Sequence, residues 1–389
     1  MANLLITGGG GFIGSHTTLC LLTAGHNVVV LDSFVNSDVE ALRRVAQLAN
    51  LPPLNTTAPG TWQAKGGTAS GLTVLQGDVR RAEDVERAMA QGPVDAVLHF
   101  AGLKALAESI REPLLYWDVN VNGSRCLVET MQRHRCRTLI FSSSATLYGY
   151  PATLPIAETA PVQPLHPYGH TKAAVEQMLA DLSASEPGWR IARLRYFNPV
   201  GAHPSGLIGE DPRGVPNNLF PLIGQVALGQ LPSLPIFGND WPTSDGSGVR
   251  DFIHVMDLAE GHGSALNHLL TTHQDIFLTL NLGSGQGISV LEMVRAYGAV
   301  SGQPIPHEVL PRRGGDAACS VADPSLAKTQ LGWSTRRTLA DICRDGWRWH
   351  SSNPRGYGRG DNANAVATPP PRPAAPEAAG ENHPSASPP

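Results

Sequence analysis

From its first residues the chain alternates short, nearly continuous apolar runs with stretches of helical spacing, and this alternation constrains the fold more than anything else in the sequence. Residues 3–7, 27–32, 72–76, 96–100, 138–142 and 190–194 read as strands, several of them apolar throughout, as strands covered on both faces should be. Between them, residues 13–24, 38–49, 82–90, 114–133 and 168–183 carry the apolar period of helices. Strand, helix and strand in regular succession predict an α/β fold built on a doubly wound parallel sheet.

Two segments break the rhythm. Residues 50–71, NLPPLNTTAPGTWQAKGGTASG, are rich in Pro, Gly and Thr and read as a surface insertion between a helix and the third strand, with no chemistry assigned to it. After Tyr196 the alternation gives way to Gly- and Pro-rich loops, short helices such as 218–229 and isolated strands, closing on a helical stretch at 339–349. The sequence therefore divides into a first domain over 1–195, a smaller α/β domain over 196–353, and a Pro- and Ala-rich tail over 354–389 whose composition predicts disorder.

Thr7-Gly8-Gly9-Gly10-Gly11-Phe12-Ile13-Gly14 lies between the first strand and the first helix. Gly8 permits a tight turn, Gly11 lets backbone approach a pyrophosphate, and Gly14 lets helix and strand pack closely. The helix N-terminus then offers unpaired N–H groups to phosphate. Asp32, 18 residues after Gly14, ends the second strand. A carboxylate there accepts from adenosine ribose hydroxyls and repels a 2′-phosphate. Together these features predict a Rossmann-type dinucleotide site that prefers NAD to NADP.

Composition narrows the class. The 29 Lys and Arg against 33 Asp and Glu leave a net charge of −4, without the basic excess of a nucleic-acid or membrane-surface binder. No run reaches the roughly 18 apolar residues of a membrane helix, and the first apolar run ends at Gly8 with no basic residue before it. Cys20, Cys126, Cys136, Cys319 and Cys343 are scattered without C-x-x-C spacing, so no metal is expected and the cytoplasm is the expected compartment.

The fifth strand runs into Ser142-Ser143-Ser144-Ala145-Thr146, and Tyr168-Gly169-His170-Thr171-Lys172 opens a later helix, so Tyr168 and Lys172 share a face. A tyrosine's ordinary pKa is near 10, but an ammonium and a nicotinamide cation nearby favour the phenolate. Tyr168 would then take a proton from a substrate hydroxyl. The TGxxGxxG turn, Asp32, the strand-end Ser144 and the YxxxK pair together resemble the extended short-chain dehydrogenase/reductase superfamily. Within it the resemblance narrows to the UDP-glucose 4-epimerase family through HFAGLKA (99–105), SSSATLYG (142–149), LRYFNPVGAHPSGLIGEDPRGVPNNL (194–219) and GVRDFIHVMDLAEGH (248–262). It spans about residues 1–350, apart from the 50–71 insertion, and leaves out the tail.

The resemblance implies that Ser144, Tyr168 and Lys172 are catalytic. It implies that NAD, besides the glycines, is held by Phe12 and Ile13, by Asp32, Ser33, Phe34, Val35, Asn36 and Ser37, and by Asp78 and Val79. Phe100, Ala101, Gly102, Leu103 and Lys104 would follow, with Asn120, Tyr168, Lys172 and Phe197 completing the pocket. A UDP-sugar would contact Lys104, Ser144, Tyr168, Asn198, Asn218, Leu219, Arg250, Arg313 and Asp316, the arginine forks suiting its diphosphate. The implied activity is reversible 4-epimerisation of UDP-glucose and UDP-galactose by a hydride passed to tightly bound NAD and back. Family members are usually homodimers, and the resemblance implies packing through helices 114–133 and 168–183.

Four residues beyond Asp316 stands Ser320, at a position that borders the sugar pocket in the family and varies there from tyrosine to a small residue. A small side chain leaves room at C2 for an N-acetyl group, so UDP-GlcNAc and UDP-GalNAc are expected substrates too. A dehydratase of the superfamily would commonly carry an Asp-Glu pair where this chain has Ala145-Thr146, which cannot transfer the extra protons. That enzyme, a related decarboxylase and a non-catalytic NAD-binding regulator are the alternative readings.

Overall fold

The computed structural model describes residues 1–65, 70–214, 216 and 218–358, so the expected disorder beyond residue 358 lies outside the described residues. The strands, in chain order, are β1 (Asn3–Thr7), β2 (Asn27–Asp32), β3 (Asn55–Ala58), β4 (Thr61–Lys65), β5 (Gly71–Gln76), β6 (Ala96–His99), β7 (Thr138–Ser144) and β8 (Arg190–Tyr196). They continue with β9 (Asn198–Val200), β10 (Leu234–Phe237), β11 (Val249–His254), β12 (Ile276–Leu282), β13 (Gly287–Ser289), β14 (His307–Leu310) and β15 (Cys319–Ser320).

A nine-stranded sheet has the order β12-β8-β7-β6-β1-β2-β5-β4-β3, parallel throughout except where β4 pairs antiparallel with β5 and with β3. Because strand side chains alternate between faces, β1 sends Leu4 and Ile6 into one core with Leu19, Val30 and Leu42, and Leu5 into the other with Leu31, Leu127 and Phe141. Both faces are thus roofed by helices, which is why the strands read as continuous apolar runs. The chain leaves β1 toward β2 and β5, then returns to β6 on the other side of β1 and goes on to β7 and β8. That reversal opens a crevice at the carboxyl ends of β1 and β6, where ligands bind in sheets of this kind.

Beyond Tyr196 a smaller mixed sheet forms around β11, which pairs with β9, β13 and β15, while β10 pairs with β14. The sequence does not foresee that β12 rejoins the main sheet along the whole of β8, and Met1–Tyr357 make one compact unit. Two further differences are physical. The helix expected over 114–133 is broken into Pro113–Tyr116, a wider π turn at Trp117–Asn122, and Gly123–Arg133. The ordered chain also runs past residue 353, because buried Tyr357 exchanges hydrogen bonds with Gly209, donating through its hydroxyl and accepting from the amide, both at 3.1 Å. Among the described residues no helix is long and apolar enough to cross a membrane, and all five thiols are free.

Candidate active site

The backbone turns as soon as β1 ends. Gly8 has φ +72°, and a Cβ there would lie 2.6 Å from the Ala101 nitrogen, so only glycine fits. A Cβ at Gly14 would run into the Gly8 carbonyl oxygen and stand 2.8 Å from the Gly9 Cα. The close approach that Gly14 allows is therefore to the turn itself. At Gly11 a Cβ would meet only the Gly8 oxygen, at an ordinary 3.4 Å, and no side chain caps the helix Phe12–Thr23 that it opens. Open space beside uncapped first-turn N–H groups suits an approaching pyrophosphate.

Asp32 holds the neighbouring loop. Its Oδ2 accepts from the Gly10 amide at 2.8 Å, and its Oδ1 from the Phe34 amide at 2.9 Å and the Ser37 hydroxyl at 2.8 Å. A carboxylate has about four acceptor positions, so one remains for a ribose hydroxyl. Burial pushes the Asp32 pKa up against the pull of those donors. Ser33, Val35 and Asn36 are exposed, and Phe34 takes a left-handed φ of 56°. Asp78 is different: the Arg80 guanidinium grips its carboxylate at 2.6 to 3.1 Å, reaches Asp118 at 2.7 Å, and holds the Asp78 carboxyl below its usual range. Val79 is buried against Gly123.

Across the crevice, the Phe100–Lys104 loop leaves β6. The Asn120 side chain accepts from the Leu103 amide at 2.8 Å and donates to the Leu103 carbonyl at 3.1 Å and the Thr171 hydroxyl at 3.0 Å. Thr171 in turn donates to the Tyr168 carbonyl at 2.8 Å. The π turn at Trp117–Asn122 carries Asn120 into this bridge, as such bulges often do at working sites. A one-way hydrogen-bond chain runs beneath. The Ser124 hydroxyl donates to the Asn120 carbonyl at 2.5 Å, so it accepts from His99 Nε2 at 2.8 Å, leaving His99 Nδ1 to accept from Thr7 at 2.6 Å. Burial pushes His99 down to about 3 and keeps it neutral.

Ser144 ends β7, and its hydroxyl accepts from the Thr146 amide at 3.2 Å and hydroxyl at 2.9 Å. Tyr168 stands in the first turn of the helix Pro167–Ser185, close enough to Ser144 and Lys104 to feel both. Burial pushes the Tyr168 phenol up, and the Ser144 bond and the Lys104 charge pull it back. Sequence reasoning assigns that role to Lys172 and the nicotinamide cation, not to Lys104. Lys172 instead donates to the Ser142 carbonyl at 2.8 Å and faces the Phe141 ring at 4.9 Å, and burial takes it down to about 8 against the pull of Glu176.

The residues expected to hold a UDP-sugar fall into two groups. Lys104 Nζ and the Asn218 amide both donate to buried Glu210, at 2.9 and 3.2 Å, and Leu219 opens the helix behind them. Arg250 on β11 lies in register with Ser320 on β15, close enough to Asp316 and Arg313 to feel their charges. Arg313 pairs with Asp316 at 3.3 Å and stacks 4.0 Å above the Phe237 ring. Asn198 pairs with Phe252 on β9 and β11, and Phe197 is buried with Tyr148, Ile156 and Ala322.

The description "NAD dependent epimerase/dehydratase family" matches residues 4–283. A curated UDP-glucose 4-epimerase of Neisseria meningitidis serogroup A is 49% identical over 361 residues, 92% of this chain and 99% of its own length. The chain belongs to the UDP-glucose 4-epimerase family. Two solved structures of that family superpose on it. The enzyme of Stenotrophomonas maltophila, with NAD and formylated UDP-arabinopyranose, matches with TM-score 0.84 and 46% identity over 91% of this chain and 99% of its own. The Bifidobacterium longum enzyme, with NAD+ and UDP, matches with TM-score 0.83 and 42% identity over the same shares.

Several residues that shape this family site escape sequence reasoning. Glu210 sits inside the quoted 194–219 phrase, but only the fold brings it to Lys104 and Asn218. Glu176 lies four residues beyond Lys172, the one available signal. It accepts from Ser143 at 2.6 Å, from Arg195 at 2.6 and 3.0 Å, and from Arg193 at 3.2 Å. Its burial raises the carboxyl, but those donors hold it below its usual range.

Proposed function

We propose that this chain interconverts UDP-glucose and UDP-galactose by inverting C4 of the sugar, with NAD retained in the crevice. Ser144 at the end of β7, with Tyr168 and Lys172 on the helix against it and Lys172 bonded to the Ser142 carbonyl, supports this most directly, on a chain whose relatives carry that name. Gly11 leaves open space at an uncapped helix start, and Asp32 keeps an acceptor free, so the residues fit NAD. Bound there, NAD supplies a hydride acceptor and donor for C4. Tyr168 is the general base that takes the 4-OH proton and later returns it. Ser144 hydrogen-bonds the reacting oxygen, and its two bonds from Thr146 hold its rotamer. Lys172 anchors the nicotinamide side, while Lys104 favours the Tyr168 phenolate. Arg250 and Arg313 offer forked donors for a diphosphate.

Tyr168→Phe tests the base. The variant should keep its bound NAD and lose nearly all turnover; full activity would refute the assignment.

Residues 1–195 serve the cofactor and residues 196–353 chiefly the sugar nucleotide. Ser320, beside Arg250, leaves room for an N-acetyl group, so UDP-GalNAc is a substrate as well. Ser320→Tyr should suppress UDP-GalNAc turnover while sparing UDP-galactose, and a parent enzyme inert toward UDP-GalNAc would overturn the reading. A homodimer is supported by the exposure of Ile110, Leu114 and Trp117 around the 114–133 segment. The cytoplasm suits its free thiols. Sedimentation equilibrium at micromolar concentration should give twice the chain mass.

A further inference from the structure

Within the segment that the sequence reads as a surface insertion, residues 55–65 do not form a loose loop. Here β3 and β4 form a hairpin that extends the main sheet, with Trp62 paired to Val74 of β5 and the Gly60 carbonyl accepting from the Gln76 amide at 2.8 Å. Since Gln76 is in register with Asp32 at the end of β2, the hairpin flanks the strand end from which the Asp32–Ser37 loop emerges. There Trp62 meets Phe34 edge-on, ring centres 5.8 Å apart and planes at 85°, the favourable geometry for an aromatic pair.

Phe34 needs that support. Its φ of 56° is a left-handed conformation that a non-glycine residue adopts only when its surroundings impose it. Its ring edge lies 3.0 Å from the point a Cβ on Gly10 would occupy, beside the Asp32 carboxylate at 3.1 Å, so the ring closes over the glycine turn. The Phe34 amide is also one of the three donors that orient Asp32. On the loop's other flank, the Arg213 amide and guanidinium hold Asn36 and Ser37, each at 2.8 Å. Without Trp62 the outer face of Phe34 would be open to water, and the left-handed residue would lose its brace.

We propose that the β3–β4 hairpin is a cofactor-side buttress, in which Trp62 holds Phe34 over the glycine turn and so stabilises the Asp32–Ser37 loop in its NAD-binding form. Trp62 is a positioning residue: it acts through Phe34 and touches no reacting atom. The inference rests on the NAD reading of the crevice.

The test measures NAD dissociation from the full-length protein, by the NAD+ recovered from it on acid denaturation at intervals after dilution into NAD-free buffer, alongside thermal melting and the split between kcat and KM. Trp62→Ala should release NAD roughly three- to tenfold faster, the loss expected for one aromatic pair. Its kcat at saturating NAD should change less than about twofold, and Trp62→Phe should restore most of the retention. Trp62→Leu keeps an apolar side chain on the hairpin but removes the aromatic pair, so it decides the matter if Trp62→Ala fails to fold, and it should also release NAD faster. Release at the parent rate in the folded variants overturns the buttress, as does equally fast release from Trp62→Ala and Trp62→Phe. A parent protein that binds no NAD overturns the cofactor reading and the buttress with it; a parent that binds NAD while Trp62→Ala matches it overturns the buttress alone.

Discussion

The three key glycines of the first turn have separable roles, and two alanine variants pull them apart. In Gly14→Ala the new methyl would collide with the Gly8 carbonyl oxygen, 2.8 Å from the Gly9 Cα and 3.0 Å from the Gly8 carbonyl carbon. All three obstacles are backbone, so no rotamer change relieves them and the helix must move off the turn. Overpacking of a rigid site costs about 1–3 kcal/mol, and this one belongs near about 3. At about 2 °C per kcal/mol or somewhat less for a chain of this size, the NAD-free protein should melt about 5 °C lower. In Gly11→Ala the methyl meets only one atom at 3.4 Å, and alanine is a poorer N-cap than glycine by about 0.5–1 kcal/mol. Its NAD-free melting temperature should therefore fall by no more than about 2 °C. Its methyl would, however, fill the space where pyrophosphate approaches, and NAD should bind about 100-fold more weakly, about 2.7 kcal/mol. Differential scanning fluorimetry on stripped protein and calorimetric NAD titration measure the two effects. Parent-like NAD affinity in Gly11→Ala, or an unchanged melting temperature in Gly14→Ala, would refute the division of labour.

Other perturbations bear on the scaffold. Burial pushes His16 and His99 down to about 3 and His262 and His350 to about 4, so each is neutral in the fold and charges on unfolding below pH 6.5. Each folded pKa lies below its unfolded value. At pH above 6.5 neither state binds the proton; as pH falls from 6.5 toward 4 the unfolded chain alone takes it up, and stability is lost. Unfolding at pH 5 should take up about four protons through these groups, seen as a steep fall in urea midpoint below pH 6.5, and a flat midpoint down to pH 5 would contradict it. Glu176→Ala should destabilise by about 3–5 kcal/mol in urea titration, because it strands the buried Arg195 and half-buried Arg193 guanidinium groups. A loss below about 1 kcal/mol would show that the arginines find other partners.

The strands that sequence reading captures are those buried on both faces. β1, β2, β5 and β6 announce themselves because Leu4 to Ile6 or Val28 to Leu31 can fold in few other ways. The hairpin escapes because all four residues of β3 are exposed and polar or small, so it has no alternation to read. The return of β12 to β8 escapes for a different reason: Ile276–Leu282 is visibly strand-like, but nothing local says which sheet it joins. At the site, Ser144, Tyr168 and Lys172 are legible from spacing, whereas Lys104 acts on Tyr168 through a fold-made approach. The His99 chain is invisible in sequence because Thr7, His99 and Ser124 lie far apart along it.

The central claim is epimerisation through a cofactor that never leaves the protein. Purified protein, washed free of loose nucleotide and given UDP-galactose with no added NAD, should carry it to an equilibrium mixture with UDP-glucose through many turnovers, with no accumulation of NADH in solution. Turnover that stops without added NAD, or NADH accumulating in step with sugar oxidation, would contradict the account.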